Sequence, residues 1–339
     1  MAEEAGDPRE VNWHPRNTRT LVGHLDAEKR MRLAFESGKL HHAWLLSGPK
    51  GIGKATLAYR FAAFALAPDK FLSDDLGIDP NSRTAHWLAS RSHPDLFVLE
   101  RRWDSKTKKL KTELAVDDAR QLSEFFGLTA GSGGWRVAII DAADDLNNAS
   151  ANALLKLIEE PPPKCLLLLV CNQPGRLLRT IRSRCMRIDL IPLALKETRS
   201  VLTHLPLDEP PIPEALEIAV NLAGGSPGRA LDLLDSNGAK SFAAFRAMGK
   251  LGGASLVEFG NRFGSRTSTT DDFETFFNLL EDWVGQEARR AGLAGGGPGM
   301  ADAYTAIGHS IRQTNALNLD RRQAVVNALS LITEAMKTA

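Results

Sequence analysis

At 339 residues, with 43% hydrophobic and 24% charged positions, the chain has the composition of a soluble globular protein of two or three domains. A formal net charge of +1 excludes a global basic field for nucleic acid or an anionic membrane. The three cysteines, Cys165, Cys171 and Cys185, include no CxxC pair; they exclude a disulfide framework, argue against the usual structural zinc site, and fit a reducing, cytoplasmic compartment.

The first 20 or so residues are acidic, then polar, without the apolar core of a signal peptide, and read as a flexible lead-in. "LDAEKRMRLAFESGKL" predicts a helix with apolar positions at Leu25, Met31, Leu33 and Phe35. "HAWLLSGPKGIGKATLAYRFAAFAL" predicts a strand, a glycine-rich loop and a helix carried on Leu57, Ala58, Phe61, Ala62 and Leu66. Residues 67–92, with Pro68, Gly77 and Pro80, read as irregular. A strand follows at Leu96–Leu99, then a polar hairpin in "RRWDSKTKKLKTE" and a helix in "VDDARQLSEFFGL". Arg136–Ile140 predict a strand ending in an acid, and "NNASANALLKLIEEPPP" a helix stopped at Pro161 by its missing N–H and ring clash. "CLLLLVC" is too short to cross a bilayer and predicts a buried strand. "PGRLLRTIRSRC" gives a short helix and "MRIDL" a last strand.

Near-continuous apolar strands alternating with helices predict a parallel sheet covered on both faces. Beyond about residue 193 the strand signal ends, so the fold class is α/β followed by all-α. The expected domains are an α/β P-loop domain at 1–193, a small helical domain at 194–240 and a helical domain at 241–339. In the last of these, Phe273, Phe276, Phe277, Leu280 and Val284 share one helix face.

The loop "GPKGIGKAT" nearly matches G-x-x-x-x-G-K-[ST]. Gly48, Gly51 and Gly53 allow backbone N–H groups to face phosphates, and Lys54 supplies the cation. The next residue, which should carry a hydroxyl for Mg²⁺, is Ala55. Thr56 is rotated by about 100° on the helix and points away from the metal position. The acid-ended strand supplies Asp141 for a metal, but Ala142 stands where a water-polarising Glu would act. Asp144 reads as a helix N-cap. With both the metal ligand and the base missing, little hydrolysis is expected.

The run "NNASANALLKLIEEPPP…LLLVCNQPGRLLRTIRSRC", with "HAWLLSGPKGIGKATLA", "SHPDLFVLE" and "GGSPGRALDLL", resembles the AAA+ clamp-loader subunits of bacterial DNA polymerase III, and "AGGSPGRAL" the delta-prime type among them. That resemblance implies an AAA+ P-loop domain, a helical lid and a helical collar in a heteropentamer. It implies gamma/tau and delta subunits as partners, and the sliding clamp and primed DNA as partners through the complex. Arg184 of "SRC" then resembles an arginine finger given in trans to a neighbour's ATP site, where a guanidinium forks onto phosphate oxygens. Asn172 occupies the sensor-1 position, and Gly228 aligns with the sensor-2 arginine, leaving Arg229 beside it. Many relatives carry a four-cysteine zinc module; here residues 67–92 hold no Cys, so no zinc is expected, with Trp87, Leu88 and Phe71 packing instead. No cofactor is required, although the loop amides and Lys54 allow weak ATP or ADP binding. Two other readings stand beside this one: an active ATPase of the gamma/tau type, and a nucleic-acid binder using Arg101, Arg102, Lys106, Lys108, Lys109 and Lys111.

Overall fold

A computed structural model describes residues 11–338 apart from 68–74, 105–106, 108, 111–113, 115, 129–130, 132–133, 208–209, 212, 249–252, 265–269, 294–297 and 318. Packing groups the chain into two compact units, Met1–Pro210 with Gly224–Gly228, and Pro211–Ala223 with Arg229–Ala339. The segment expected as a lid, 194–240, contributes residues to both.

The first unit holds α1 (Leu25–Glu36), β1 (Ala43–Ser47), α2 (Lys54–Leu66), α3 (Arg83–Ala89), β2 (Leu96–Glu100), and the short strands β3 (Trp103–Asp104) and β4 (Lys109–Leu110). It continues with α4 (Val116–Gly127), β5 (Arg136–Asp141), α5 (Asn148–Glu159), β6 (Cys165–Cys171), α6 (Arg179–Arg182), β7 (Met186–Asp189) and α7 (Leu195–His204). The main sheet is parallel in the order β2-β5-β6-β1-β7. This is the parallel α/β sheet covered by helices that the sequence led one to expect. All seven β6 residues are buried, because helices cover both faces and leave no polar side. Strand alternation sorts the core. Trp44, Leu46, Ile139, Leu168 and Val170 meet Phe61 and Phe64 of α2 on one face. Leu45, Ala138, Ile140, Leu167 and Leu169 meet Leu122, Leu154 and Ile158 on the other. β3 and β4 pair antiparallel, as the hairpin reading expected.

Three local expectations are corrected. On α1, Leu25 and Leu33 face solvent, while Glu28 and Met31 are buried. Glu28 turns inward because Arg60 of α2 donates to its carboxylate at 2.6 Å, and burial still raises its pKa against that pairing. Residues 11–20 are not a loose lead-in. They form hydrogen-bonded turns, with His14 buried edge-on to Tyr59 and Thr18 Oγ1 donating to Trp13 O. The 67–92 stretch contains α3, started by the Ser82 side chain accepting from Ala85 N. Trp87 of α3 packs against His93 and under the Arg83 guanidinium, and Leu88 is buried; Phe71 lies outside the described residues.

The second unit contains α8 (Pro213–Leu222), most of α9 (Pro227–Asp235), α10 (Asn237–Ala247), α11 (Gly253–Gly260), α12 (Thr270–Leu293), α13 (Gly299–Leu317) and α14 (Arg321–Thr338). Phe273, Phe276, Phe277, Leu280 and Val284 of α12 are all buried, as their spacing required. They pack with Phe242, Phe259, Phe263, Ile307, Val325, Leu329 and Ile332. Asp272 Oδ1 accepts from Asn237 N, which draws the start of α10 onto α12. The approach is so close that a Cβ on Gly238 would lie 2.1 Å from Asp272 O. Gly238→Ala is therefore expected to destabilise the protein by about 2 kcal/mol, read as a lower midpoint in urea unfolding of the helical unit.

Candidate nucleotide-type site and surface arginine

The site begins where β1 ends. Gly48 has φ 147° and passes so close to the chain after β7 that a Cβ would sit 2.4 Å from Leu190 O. Gly53, with φ 104°, turns the loop into α2, so Lys54 is the first helical residue. Between them every carbonyl from 48 to 52 accepts a hydrogen bond. Lys54 Nζ donates to Gly48 O at 2.8 Å and to Pro49 O. Ser226 Oγ donates to Lys50 O at 2.8 Å, Gly228 N to Gly51 O at 2.9 Å, and His24 Nε2 to Ile52 O at 2.8 Å. Ser226 and His24 were not picked out from the sequence; each acts on a backbone oxygen far away in the chain, which no local pattern announces.

Lys54 is 3% exposed, folded back over its own loop. Burial lowers its pKa to about 8, opposed by the charges of Asp141 and Asp144. Asp141 ends β5 and pairs in register with Glu100 of β2. Burial, then the Glu100 charge, raises its carboxyl to about 6, with Lys54 and Arg101 pulling the other way. The methyl of Ala55 offers no oxygen. Thr56 is half-buried one position further round α2 and makes no hydrogen bond to Lys54, Asp141 or Asp144. Ala142 is 7% exposed and cannot take a proton.

Asp144 is not a helix cap, as the sequence suggested. It sits in a 3₁₀ turn, and its carboxylate accepts from Asn172 N at 2.9 Å and Gln173 N at 3.1 Å. Asn147 caps α5 instead, accepting from Ser150 N. Asn172 is thus brought to the site by its backbone. Gly228 leaves no room for the sensor-2 side chain, since a Cβ there would lie 2.7 Å from Gly51 Cα.

Arg184 lies elsewhere. It precedes β7, whereas Gly48 follows β1, and these strands run parallel with Trp44 opposite Met186 and Ser47 opposite Asp189. The two residues therefore stand at opposite edges of the sheet, separated by roughly 13 Å of strand. Arg184 is exposed. Its Nε forms an ion pair with Glu159 Oε1 at 3.1 Å, and Nη1 donates to Thr180 O at 3.2 Å and Ser183 Oγ at 3.5 Å. The cysteines carry no reactive thiolate: burial pushes Cys165 to about 11 and Cys171 and Cys185 to about 12. In the basic hairpin, Arg101 pairs with Asp145 at 3.3 Å; Lys106, Lys108 and Lys111 lie outside the described residues. Among the described residues no group of three or more His, Cys, Asp and Glu side chains could hold a metal ion, and no helix is long and apolar enough to cross a membrane.

Residues 23–194 match the family described as DNA polymerase III, delta subunit. DNA polymerase III subunit delta' of Pseudomonas aeruginosa is 40% identical over 187 residues, 55% of this chain and 53% of that one. The subunit delta' of Escherichia coli is 32% identical over 209 residues, 62% and 59% of the two chains. DNA polymerase III subunit gamma of Buchnera aphidicola is 31% identical over 231 residues, 66% and 59%. The matches thus span only about half to three-fifths of these relatives' length. Among solved structures, a DNA polymerase III gamma subunit-related protein of Thermotoga maritima is 16% identical with a TM-score of 0.44, covering 92% of this chain and 99% of that one.

The raised carboxyl of Asp141 has a signed consequence for stability. Its folded pKa of about 6 exceeds the ordinary 3.8, so its cost is absent below about pH 4, grows as pH rises through 6, and is complete above that. The stability advantage of Asp141→Asn over the parent is expected to be about 2 kcal/mol larger at pH 8 than at pH 4.5, in urea unfolding at both values.

Proposed function

The chain belongs to the DNA polymerase III delta-subunit family, and from that premise we propose that it is the delta-prime-type, non-hydrolysing subunit of a replicative clamp loader. It stands beside gamma/tau and delta subunits and donates Arg184 in trans to a neighbour's ATP site, while the complex loads a sliding clamp onto primed DNA. The helices from 241 onward serve as its collar in a heteropentamer, and the protein works in the cytoplasm.

The observation that carries this reading is the split between the two edges of the sheet. At the carboxyl edge, the positions that would ligate Mg²⁺ and polarise water are Ala55 and Ala142. That donor set does not fit a catalytic metal ion. At the opposite edge, Arg184 is exposed and cannot reach its own chain's P-loop. An arginine so placed is accessible to a site on another molecule, which supports the finger role. The loop amides still fit a phosphate, provided Lys54 leaves Gly48 O and Pro49 O, which supports weak ATP or ADP binding that needs no Mg²⁺. No zinc is required. The same alanines speak against an active ATPase of the gamma/tau type.

In a complex reconstituted with its cognate gamma/tau and delta subunits, Arg184→Ala is expected to assemble normally and to lose about tenfold or more of the DNA-stimulated ATP turnover. Unchanged turnover refutes the finger. The isolated chain is expected to show no turnover; activity abolished by Lys54→Ala would restore the ATPase reading.

A further inference from the structure

We propose that Glu159 is the positioning residue for Arg184, fixing one edge of the guanidinium so that the other is presented outward. The inference rests on the finger reading above and adds a residue to it.

Glu159 is the last residue of α5, and Glu160 caps the helix before Pro161. Two carboxylates at a helix C-terminus oppose the macrodipole, whose negative end lies there. A local rule broken in this way calls for a compensating partner. The partner of Glu159 is Arg184, whose Nε lies 3.1 Å from Oε1 in an ion pair. α6 supplies the second anchor. It is only four residues long, and its carbonyl at Thr180 accepts from Arg184 Nη1, with Ser183 Oγ at the limit of the same nitrogen's reach. The backbone of Arg184 is tied as well, N donating to Ile181 O at 3.1 Å.

These contacts use Nε and Nη1. Nη2 makes no hydrogen bond among the described residues and is left at the exposed edge. A guanidinium is a rigid planar fork, so holding one edge aims the other. Glu159 also lowers the repulsion that Arg179 and Arg182, nearby on α6, exert on Arg184. The benefit to a neighbour's ATP site is orientation: fewer rotamers have to be frozen when the phosphate is met.

The test uses ATP and the assembled complex with four versions of this subunit: parent, Glu159→Ala, Arg184→Ala and the double variant, with Glu159→Gln as a conservative rescue. Glu159→Ala is expected to lower DNA-stimulated turnover about two- to fivefold, the scale of an exposed ion pair. Glu159→Gln keeps the acceptor oxygen and is expected to recover part of that loss. In the Arg184→Ala background, Glu159→Ala is expected to change nothing further. Three results overturn the proposal: turnover unchanged or raised by Glu159→Ala while Arg184→Ala lowers it, a Gln variant no better than Ala, or an equal loss with and without Arg184. The last would place the effect of Glu159 in assembly or folding. If Arg184→Ala itself costs nothing, the finger reading fails first, and this inference falls with it.

Discussion

The five consecutive carbonyls of Gly48–Ile52 are all bonded by the chain's own donors, and much of the α/β unit is arranged around that fact. Ile52 O is buried, where an oxygen without a partner would cost about 1–3 kcal/mol, and the other four lie at or near the surface. The donors come from three places: Lys54 just after the loop, His24 before α1, and Ser226 with Gly228 after α8. The 224–228 segment therefore belongs with the α/β unit although helices of the other unit flank it. Gly225 completes the attachment: its O accepts from Leu193 N, and a Cβ there would collide with Leu193 O at 2.4 Å.

This pinning separates the shape of a phosphate cradle from its chemistry. The left-handed glycines, the strand–loop–helix order and the lysine all serve the shape. Hydrolysis needs in addition a hard-metal ligand and a base, and those positions hold methyl groups. Removing them leaves the loop geometry intact because none of the five carbonyl bonds involves Ala55 or Ala142. Lys54 and Asp141 remain as a buried cation and a raised carboxyl, each shifted toward its neutral form by desolvation and held back by the other's charge.

The sequence made the sheet, the loop, the α12 stripe and the missing hydroxyl legible, since each is a local or periodic pattern. It misled wherever a single distant partner decided the outcome. On α1, Leu25 and Leu33 face solvent while Glu28 is drawn in by Arg60. Asp144 has the composition of a cap, yet β6 ends against it and Asn172 and Gln173 take its oxygens. His14 looked like part of a loose tail and is buried on Tyr59. Arg184 was singled out by resemblance alone; that it cannot reach its own P-loop follows only from the register of β1 and β7.

That register also keeps the surroundings of Arg184 independent of the residues at the P-loop. In a parallel sheet the loop after a strand and the residue before its neighbour stand at opposite edges, so substitutions at the first leave the second's surroundings untouched. Ala55 and Ala142 alter only the carboxyl edge. Arg184 depends on α5, α6 and the face of the sheet they cover, where Ile158 and Ile181 are buried in the same core as Leu167 and Leu169. The glycines serve the fold itself: a Cβ on Gly48 would meet Leu190 O in the backbone after β7, and one on Gly228 would meet Gly51 Cα, whether or not a nucleotide is ever bound.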